Sequence, residues 1–286
     1  MESVQKNMIY EHEGKQYIRK GECNNCGECC IGWINPCPNL EFIGNIMSCK
    51  IHDRLADKDD ELVKSTCNVS TIACSKFPQM GDLNFDSIRN KCGYYFMEVE
   101  KILVACPVHE CKEYSFQRWI DNVKSFTYPL FDIFVVDNSP TEEFINRYKD
   151  QIPMVHIADL NQDGNHSHER ITKSMAVIQK KFLAGDYSRW FNLECDLIPP
   201  KDIIEFLLYW GRNTDWISHC YEIRQDDTGN IQQGIGCSIL SRRMVEYVDY
   251  EKADSPDAWM WEEVRKAKRF HTMELWQYID IKHLRQ

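Results

Sequence analysis

Hydrophobic and polar positions change character along the chain close to residue 98. Before it, apolar residues follow no sustained period and are interspersed with Cys, Gly, Asn and Asp. After it, short apolar runs alternate with amphipathic stretches. Ile102-Leu103-Val104-Ala105, closing on Cys106-Pro107, is continuous apolar sequence and predicts a strand buried on both faces. Phe116, Trp119, Ile120 and Val123 recur at helical spacing and predict a helix over 115–126. A second strand is predicted over 131–136, stopping at Asp137-Asn138-Ser139-Pro140. There Ser139 is placed to cap a helix, Pro140 suits its first turn, and Glu142 completes a capping box. A short third strand is predicted over 154–157. Ile171, Met175, Ile178 and Phe182 then mark an amphipathic helix over 169–183. A fourth strand over 189–193 ends in Glu194-Cys195-Asp196, and Pro199-Pro200 opens a helix that runs to Trp210. Strands alternating with helices in this way predict a mostly parallel α/β sheet with helices on both faces. Ligands of such sheets bind beyond the carboxyl ends of the strands. His109, Glu110, Asp137, Asn138, Glu194 and Asp196 all fall there.

Composition narrows the function classes. Hydrophobic residues make up 43% of the 286 and charged residues 27%, as in ordinary globular domains. A net charge of −10 leaves no basic surplus for neutralising a phosphate backbone, so a nucleic-acid partner is not expected. No apolar run approaches the roughly 18 residues of a membrane span. Residues 1–20 lack the apolar centre of a signal peptide, and the expected compartment is the cytoplasm. With no low-complexity linker or internal repeat, the expected organisation is a cysteine-rich module over 1–98 abutting an α/β domain over 99–286.

Cysteine usage is the strongest anomaly. Of 14 cysteines, nine lie between Cys23 and Cys92: Cys23, Cys26, Cys29, Cys30, Cys37, Cys49, Cys67, Cys74 and Cys92. Thiolates at x-x spacing reach one centre through a tight turn, and wider-spaced cysteines close the coordination shell. In a cytoplasmic chain this density predicts zinc, iron or an iron–sulfur cluster rather than disulfides. The ferredoxin run C-x2-C-x2-C-x3-C-P is not met, because seven residues precede Cys37-Pro38. Cys195, Cys220 and Cys237 are expected to be buried free thiols.

Two resemblances follow from these residues. Cys23-Asn24-Asn25-Cys26-Gly27-Glu28-Cys29-Cys30, with Cys37-Pro38-Asn39-Leu40, Cys49-Lys50-Ile51-His52 and Cys74-Ser75-Lys76-Phe77-Pro78, resembles the CxxCxxCC family of zinc- or iron-chelating domains. Residues 101–286 resemble the GT-A glycosyltransferases of the inverting, family-2-like type. The opening segment Ile102 to Glu110, including Pro107, His109 and Glu110, looks like that family's first strand and nucleotide-contacting loop. Phe134-Val135-Val136-Asp137-Asn138-Ser139 looks like the second strand, whose terminal Asp reads base or ribose. Glu194-Cys195-Asp196 takes the place of the metal-binding D-x-D, with Glu in the first position. The segment Gly234 to Arg243 resembles the acceptor-side strand. Ser255 to Glu263 resembles the segment supplying the catalytic base, which makes Asp257, Glu262 and Glu263 the candidates. Ile279 to Leu284 resembles the C-terminal segment whose histidine, here His283, completes the metal site.

The resemblance implies a metal-dependent, inverting glycosyltransferase using a nucleotide-sugar donor and Mn²⁺ or Mg²⁺, with a glycan, lipid or protein acceptor. Arg170 and Lys173 are candidate phosphate contacts. Asp257 is placed to cap its helix or to act as the base, and the residues alone leave both open. An iron–sulfur electron-transfer protein and a non-catalytic binding protein with structural zinc remain the alternatives.

Overall fold

The computed structural model describes residues 9–12, 15–21, 40–43, 46–49, 94–158, 160, 166–220, 234–253, 256–276 and 280–284. Two compact units divide the chain, Gln5–Val99 and Glu100–Gln286. In the first, strands β1 (Ile9–His12), β2 (Lys15–Gly21) and β5 (Tyr94–Glu98) form an antiparallel sheet in the order β1-β2-β5. Strands β3 (Leu40–Ile43) and β4 (Ile46–Cys49) make a separate antiparallel pair. Ile18 is buried, and Lys15 meets Glu98 at 2.9 Å across the β2–β5 ladder. Sequence periodicity gave no hint of these strands, which are short and lean on non-local pairing. Eight of the nine candidate ligand cysteines lie outside the described residues; Cys49 ends β4, and its side chain lies outside them too.

The second unit is built on a seven-stranded mixed sheet with helices on both faces. In chain order its elements are β6 (Ile102–Val108), α1 (Glu113–Lys124), β7 (Phe131–Asp137), α2 (Glu143–Tyr148), β8 (Met154–His156), α3 (Ser167–Ala184) and β9 (Arg189–Leu193). Then come β10 (Leu197–Ile198), α4 (Ile203–Trp210), β11 (Trp216–Cys220), β12 (Cys237–Ser241), α5 (Arg242–Tyr247), α6 (Pro256–Ala267), β13 (Thr272–Trp276) and β14 (Lys282–His283). Strand order across the sheet is β13-β11-β12-β9-β6-β7-β8. Only β12 among these runs antiparallel to its neighbours.

That order contains a reversal. From β6 the chain steps outward to β7 and β8, then returns through α3 to place β9 on the other side of β6. Right-handed crossovers in opposite directions put their helices on opposite faces. Accordingly α1 and α2 share one face, where Phe116 packs on Phe144 and Tyr148. α3 lies on the other, in a core with Leu103, Ala105, Phe134, Val136, Trp190, Trp216, Met244 and Met260. β6 is buried on both faces because both faces carry helices, as its unbroken apolar sequence requires.

Three expectations need correction. β6 continues to Val108 rather than ending at Cys106-Pro107. Its pairing with β9 stops at Ala105↔Asn192, so Pro107 sits where β6 has β7 as its partner and a missing N–H costs little. The capping box at Ser139 does not form: α2 starts at Glu143 with no side-chain cap from Glu142. Ser139 instead donates its hydroxyl to Asp137 at 2.5 Å and accepts from the Glu110 N–H at 2.9 Å. The helix predicted over 115–126 begins two residues earlier and ends at Lys124.

Candidate functional site

β6 and β9 stop pairing at the carboxyl edge of the sheet, beyond Ala105↔Asn192, which is where a sheet of this order is expected to form its ligand crevice. One side is the β6 extension and the turn Glu110–Lys112; the other is Glu194-Cys195-Asp196. This is the point where the strand order reverses, and open α/β sheets bind ligands there because neighbouring connections leave in opposite directions. The C-terminal strand β14 closes the end of the crevice by pairing with β10, His283 opposite Leu197. The Leu284 N–H donates to the Asp196 carbonyl at 2.8 Å, and the Tyr114 hydroxyl donates to the Leu284 carbonyl at 3.2 Å.

Asp196 is the centre of the site. Its side chain is 4% exposed, and its Oδ2 lies 2.5 Å from Lys112 Nζ and 3.4 Å from His283 Nε2. Burial alone would depress the Lys112 ammonium, but the hydrogen bond and charge of Asp196 outweigh it and hold the lysine well above its ordinary range. The structure therefore brings together Asp196 and His283, two of the three residues assigned to the cation. The Glu194 N–H donates to the Gly236 carbonyl at 2.7 Å, on the β12 side. Among the described residues no group of three or more His, Cys, Asp and Glu side chains is arranged to hold a metal ion. Carboxylate oxygen nonetheless suits Mn²⁺ or Mg²⁺, while imidazole nitrogen is a transition-metal donor and favours Mn²⁺ of the two when a diphosphate supplies further oxygens. Asp196 and His283 fit such an ion.

A second anchored group occupies the β7 end. Asp137 is fully buried, accepts from the Ser139 N–H at 3.0 Å, and places Oδ2 3.1 Å from His156 Nδ1. Asn138 donates from its side chain to Ser174 on α3 at 3.0 Å, while its N–H donates to the Val108 carbonyl. With Ser139 bound to Glu110, the loops after β6 and β7 are tied into one unit. His109 Nδ1 accepts from the Cys111 N–H at 3.1 Å. Lys173 is paired with Glu169 at 2.6 Å, and Arg170 lies in the second turn's approach to Ser174, whose hydroxyl donates to the Arg170 carbonyl.

The proposed base segment is α6. It begins at Pro256, so Asp257 lies inside its first turn rather than at the preceding capping position; the Asp257 side chain is outside the described residues. Glu262 and Glu263 both face Lys266, at 3.5 and 3.0 Å, and the Glu262 side chain is 66% exposed. Trp261 packs edge-on against Trp216, and Trp259 against Tyr250, so these tryptophans serve the core.

Sequence reasoning missed three features of this edge. Lys112 was not singled out, although it lies three residues past His109. His156 was not assigned to Asp137. A polar row also crosses four adjacent strands: Asn192 (β9), Ser238 (β12), Ser218 (β11) and Glu274 (β13) are successive register partners, the first three of them buried. Asn192 donates to the Ile235 carbonyl at 2.7 Å, and Ser238 accepts from the Trp216 indole at 3.2 Å. Polar residues inside otherwise apolar strands were the available signal. His219 follows this row at the β11 end, buried, with its imidazole held below the ordinary histidine range by desolvation. Cys106, Cys195 and Cys237 are buried free thiols, each pushed well up, first by burial and then by nearby negative charge. Cys111 is exposed.

No protein-family model matches the sequence, and no curated protein matches it. Solved structures do match in shape. Glucosyl-3-phosphoglycerate synthase from Mycobacterium tuberculosis, in complex with phosphoglyceric acid, is 12% identical with a TM-score of 0.46, over 65% of this chain and 73% of that one. A nucleotide-diphospho-sugar transferase from Desulfovibrio desulfuricans G20 is 13% identical with a TM-score of 0.39, over 62% and 80%. TarS from S. aureus is 12% identical with a TM-score of 0.43; the match spans 62% of this chain and 35% of TarS.

Proposed function

We propose that the α/β unit is a GT-A-type glycosyltransferase, taking a sugar from a nucleotide-sugar donor to an acceptor hydroxyl with inversion. One observation supports this above the others. A buried carboxylate, Asp196, stands at the strand-order reversal with a histidine and a lysine converging on one of its oxygens. A buried anion with exchangeable cationic partners at a ligand-binding crevice suits a diphosphate held through positive charge. Asp196 and His283 would hold a divalent cation, with Glu194 beside them; when bound, that ion would offset the charge on the departing nucleotide. Asp137 and Asn138, fixed by Ser139, His156 and Ser174, form a wall for base or ribose, which Pro107, His109 and Glu110 extend on the same side through the Ser139 contact. Arg170 and Lys173, on α3 next to the Ser174 that holds Asn138, are assigned as phosphate contacts. Asp257 is assigned as the base that takes the acceptor proton, since Glu262 and Glu263 already neutralise Lys266.

A thermal-shift screen of nucleotide sugars with and without Mn²⁺ tests the assignment. One donor should raise the melting temperature, more so with Mn²⁺; a flat response to every donor in both conditions overturns it. The cysteine-rich segment is proposed to hold zinc or iron. Elemental analysis of protein purified without chelators should find one of them, and a chain free of both removes that assignment. Among the described residues no helix is long and apolar enough to cross a membrane.

A further inference from the structure

We propose that Lys112 binds the donor diphosphate, its ammonium acting as the site's own cation, so that the crevice takes a nucleoside diphosphate without added metal. This rests on the glycosyltransferase assignment and extends it to a residue that the resemblance did not supply.

The geometry of one oxygen carries the inference. Asp196 Oδ2 receives the Lys112 ammonium at 2.5 Å, with the His283 ring at 3.4 Å. Lys112 is not a sealed partner: 40% of its side chain is exposed while Asp196 is 4% exposed. The ammonium therefore spans the boundary between the buried carboxylate and the open crevice. An ammonium carries three donors, and a single contact to Asp196 leaves capacity for a second anion. The Tyr114 ring lies 6.0 Å from Nζ and bounds the ammonium on one side. Lysine also suits this task better than arginine, because its compact charge on a flexible stem can shift between two anions.

Charge balance points the same way. A diphosphate entering beside Asp196 adds negative charge next to a buried carboxylate, which like-charge repulsion opposes. Some cation must stand between them, and Lys112 already does. The Asp215 carboxylate is held by a guanidinium fork and a backbone N–H, whereas among the described residues Asp196 Oδ2 meets the Lys112 ammonium and the His283 ring.

Titration calorimetry on the full chain tests the proposal. The probes are UDP, GDP, ADP and CDP, in buffer stripped of divalent ions by resin and again with Mn²⁺; resin spares any tightly held metal in the cysteine segment. The parent should bind one of these diphosphates in stripped buffer. Lys112→Met should weaken that binding at least tenfold, Lys112→Arg should largely retain it, and Mn²⁺ should narrow the gap between parent and Lys112→Met. Lys112→Gln, which keeps a donor for Asp196, stands in if the methionine variant does not fold. Binding by the parent only with Mn²⁺, or equal binding by parent and Lys112→Met in stripped buffer, overturns the role of Lys112 and leaves the glycosyltransferase assignment in place. No diphosphate binding in either buffer overturns both.

Discussion

Two buried aspartates at opposite edges of the same sheet are treated very differently. At the amino edge, Asp215 precedes β11 and is saturated by fixed donors. Its Oδ1 accepts from the Ser241 hydroxyl at 2.9 Å and Arg243 Nε at 3.0 Å, and its Oδ2 from a second Arg243 nitrogen and the His271 N–H at 3.0 Å. At the carboxyl edge, Asp196 has a half-exposed lysine and a histidine beyond hydrogen-bonding distance for good geometry. The His271 N–H belongs to the backbone and cannot leave without disrupting the approach to β13, and the Arg243 fork engages both carboxylate oxygens at once. A lysine can swing away at the cost of a few rotamers. One edge uses its carboxylate to lock strands, and the other keeps its carboxylate in exchangeable company. That contrast assigns structure to the amino edge and ligand binding to the carboxyl edge.

The largest effect expected from this contrast lies in the rate and not the stability. Asp257→Asn should fold and bind nucleotide sugar like the parent yet transfer about 10²–10⁴-fold more slowly, the usual contribution of a general base. Since Asp257 lies in the first turn of α6, losing its charge also weakens its interaction with the helix dipole, by about 0.3–1 kcal/mol. Parental turnover in Asp257→Asn, beside a dead Glu262→Gln or Glu263→Gln, would move the base along the helix.

Next comes the amino edge. Asp215→Ala strips partners from Arg243, Ser241 and the His271 N–H together, and hydrogen bonds to a charged group are worth about 1.5–3 kcal/mol each. Urea unfolding should show a loss of about 3 kcal/mol with an unchanged slope. Asp196→Asn should lose much less stability and far more nucleotide-sugar affinity in Mn²⁺. Equal stability losses at the two aspartates would erase the contrast. The pH dependence has a definite sign. Burial would raise the Asp215 carboxyl, but Arg243, the His271 N–H and Ser241 together hold it below its ordinary range. The folded state thus binds fewer protons here than the unfolded chain. Its stabilisation is complete above about pH 4, the unfolded carboxylate range, and disappears as the pH falls further. Asp215→Asn should flatten the stability profile below pH 4, and an unchanged acid limb would show that another group controls it.

Thiol chemistry sharpens the map of the carboxyl edge. Burial keeps Cys106, Cys195 and Cys237 protonated, whereas Cys111 is exposed beside the crevice. Peptide mapping after brief iodoacetamide treatment at pH 8 should find Cys111 labelled well ahead of the other three, with bound nucleotide slowing it. Labelling of Cys195 at the Cys111 rate would mean that the crevice opens far more than its packing indicates.

Much of this fold was legible because its signals are local. β6 and β7 follow from continuous apolar runs buried between two helical layers, and α1 and α3 from helical spacing of Phe116 to Val123 and Ile171 to Phe182. Direction and pairing are non-local and were not legible: nothing in Cys237–Ser241 announces an antiparallel strand between β9 and β11. The Ser139 capping pattern failed because its hydroxyl found a stronger partner in Asp137, a buried carboxylate two residues away. The approach of His283 to Asp196 was anticipated only through resemblance. Lys112 was invisible because its partner lies 84 residues along the chain. Short strands β1 to β5 gave no period long enough to register.

The smallest effect is the most discriminating, since it keeps charge constant at both edges. Arg243→Lys preserves the positive charge on Asp215 but removes the fork that engages both carboxylate oxygens. The Arg243 side chain is 60% exposed, so water screens the pair, and the loss of stability should be small. Nucleotide affinity should not change, because Asp215 stands at the far end of the strands. Lys112→Arg makes the reciprocal exchange at Asp196. An arginine there can grip the carboxylate bidentately, which should leave stability equal or slightly higher. Its affinity for a nucleoside diphosphate in metal-free buffer should stay within about fivefold of the parent, roughly 1 kcal/mol. The two swaps therefore move different observables: unfolding midpoint at Asp215, and at most ligand affinity at Asp196. If Arg243→Lys alters nucleotide affinity, the two edges are coupled through β11 and β12. If Lys112→Arg lowers the unfolding midpoint as much as Arg243→Lys does, Lys112 is a structural lock like Arg243, and the distinction between the edges fails.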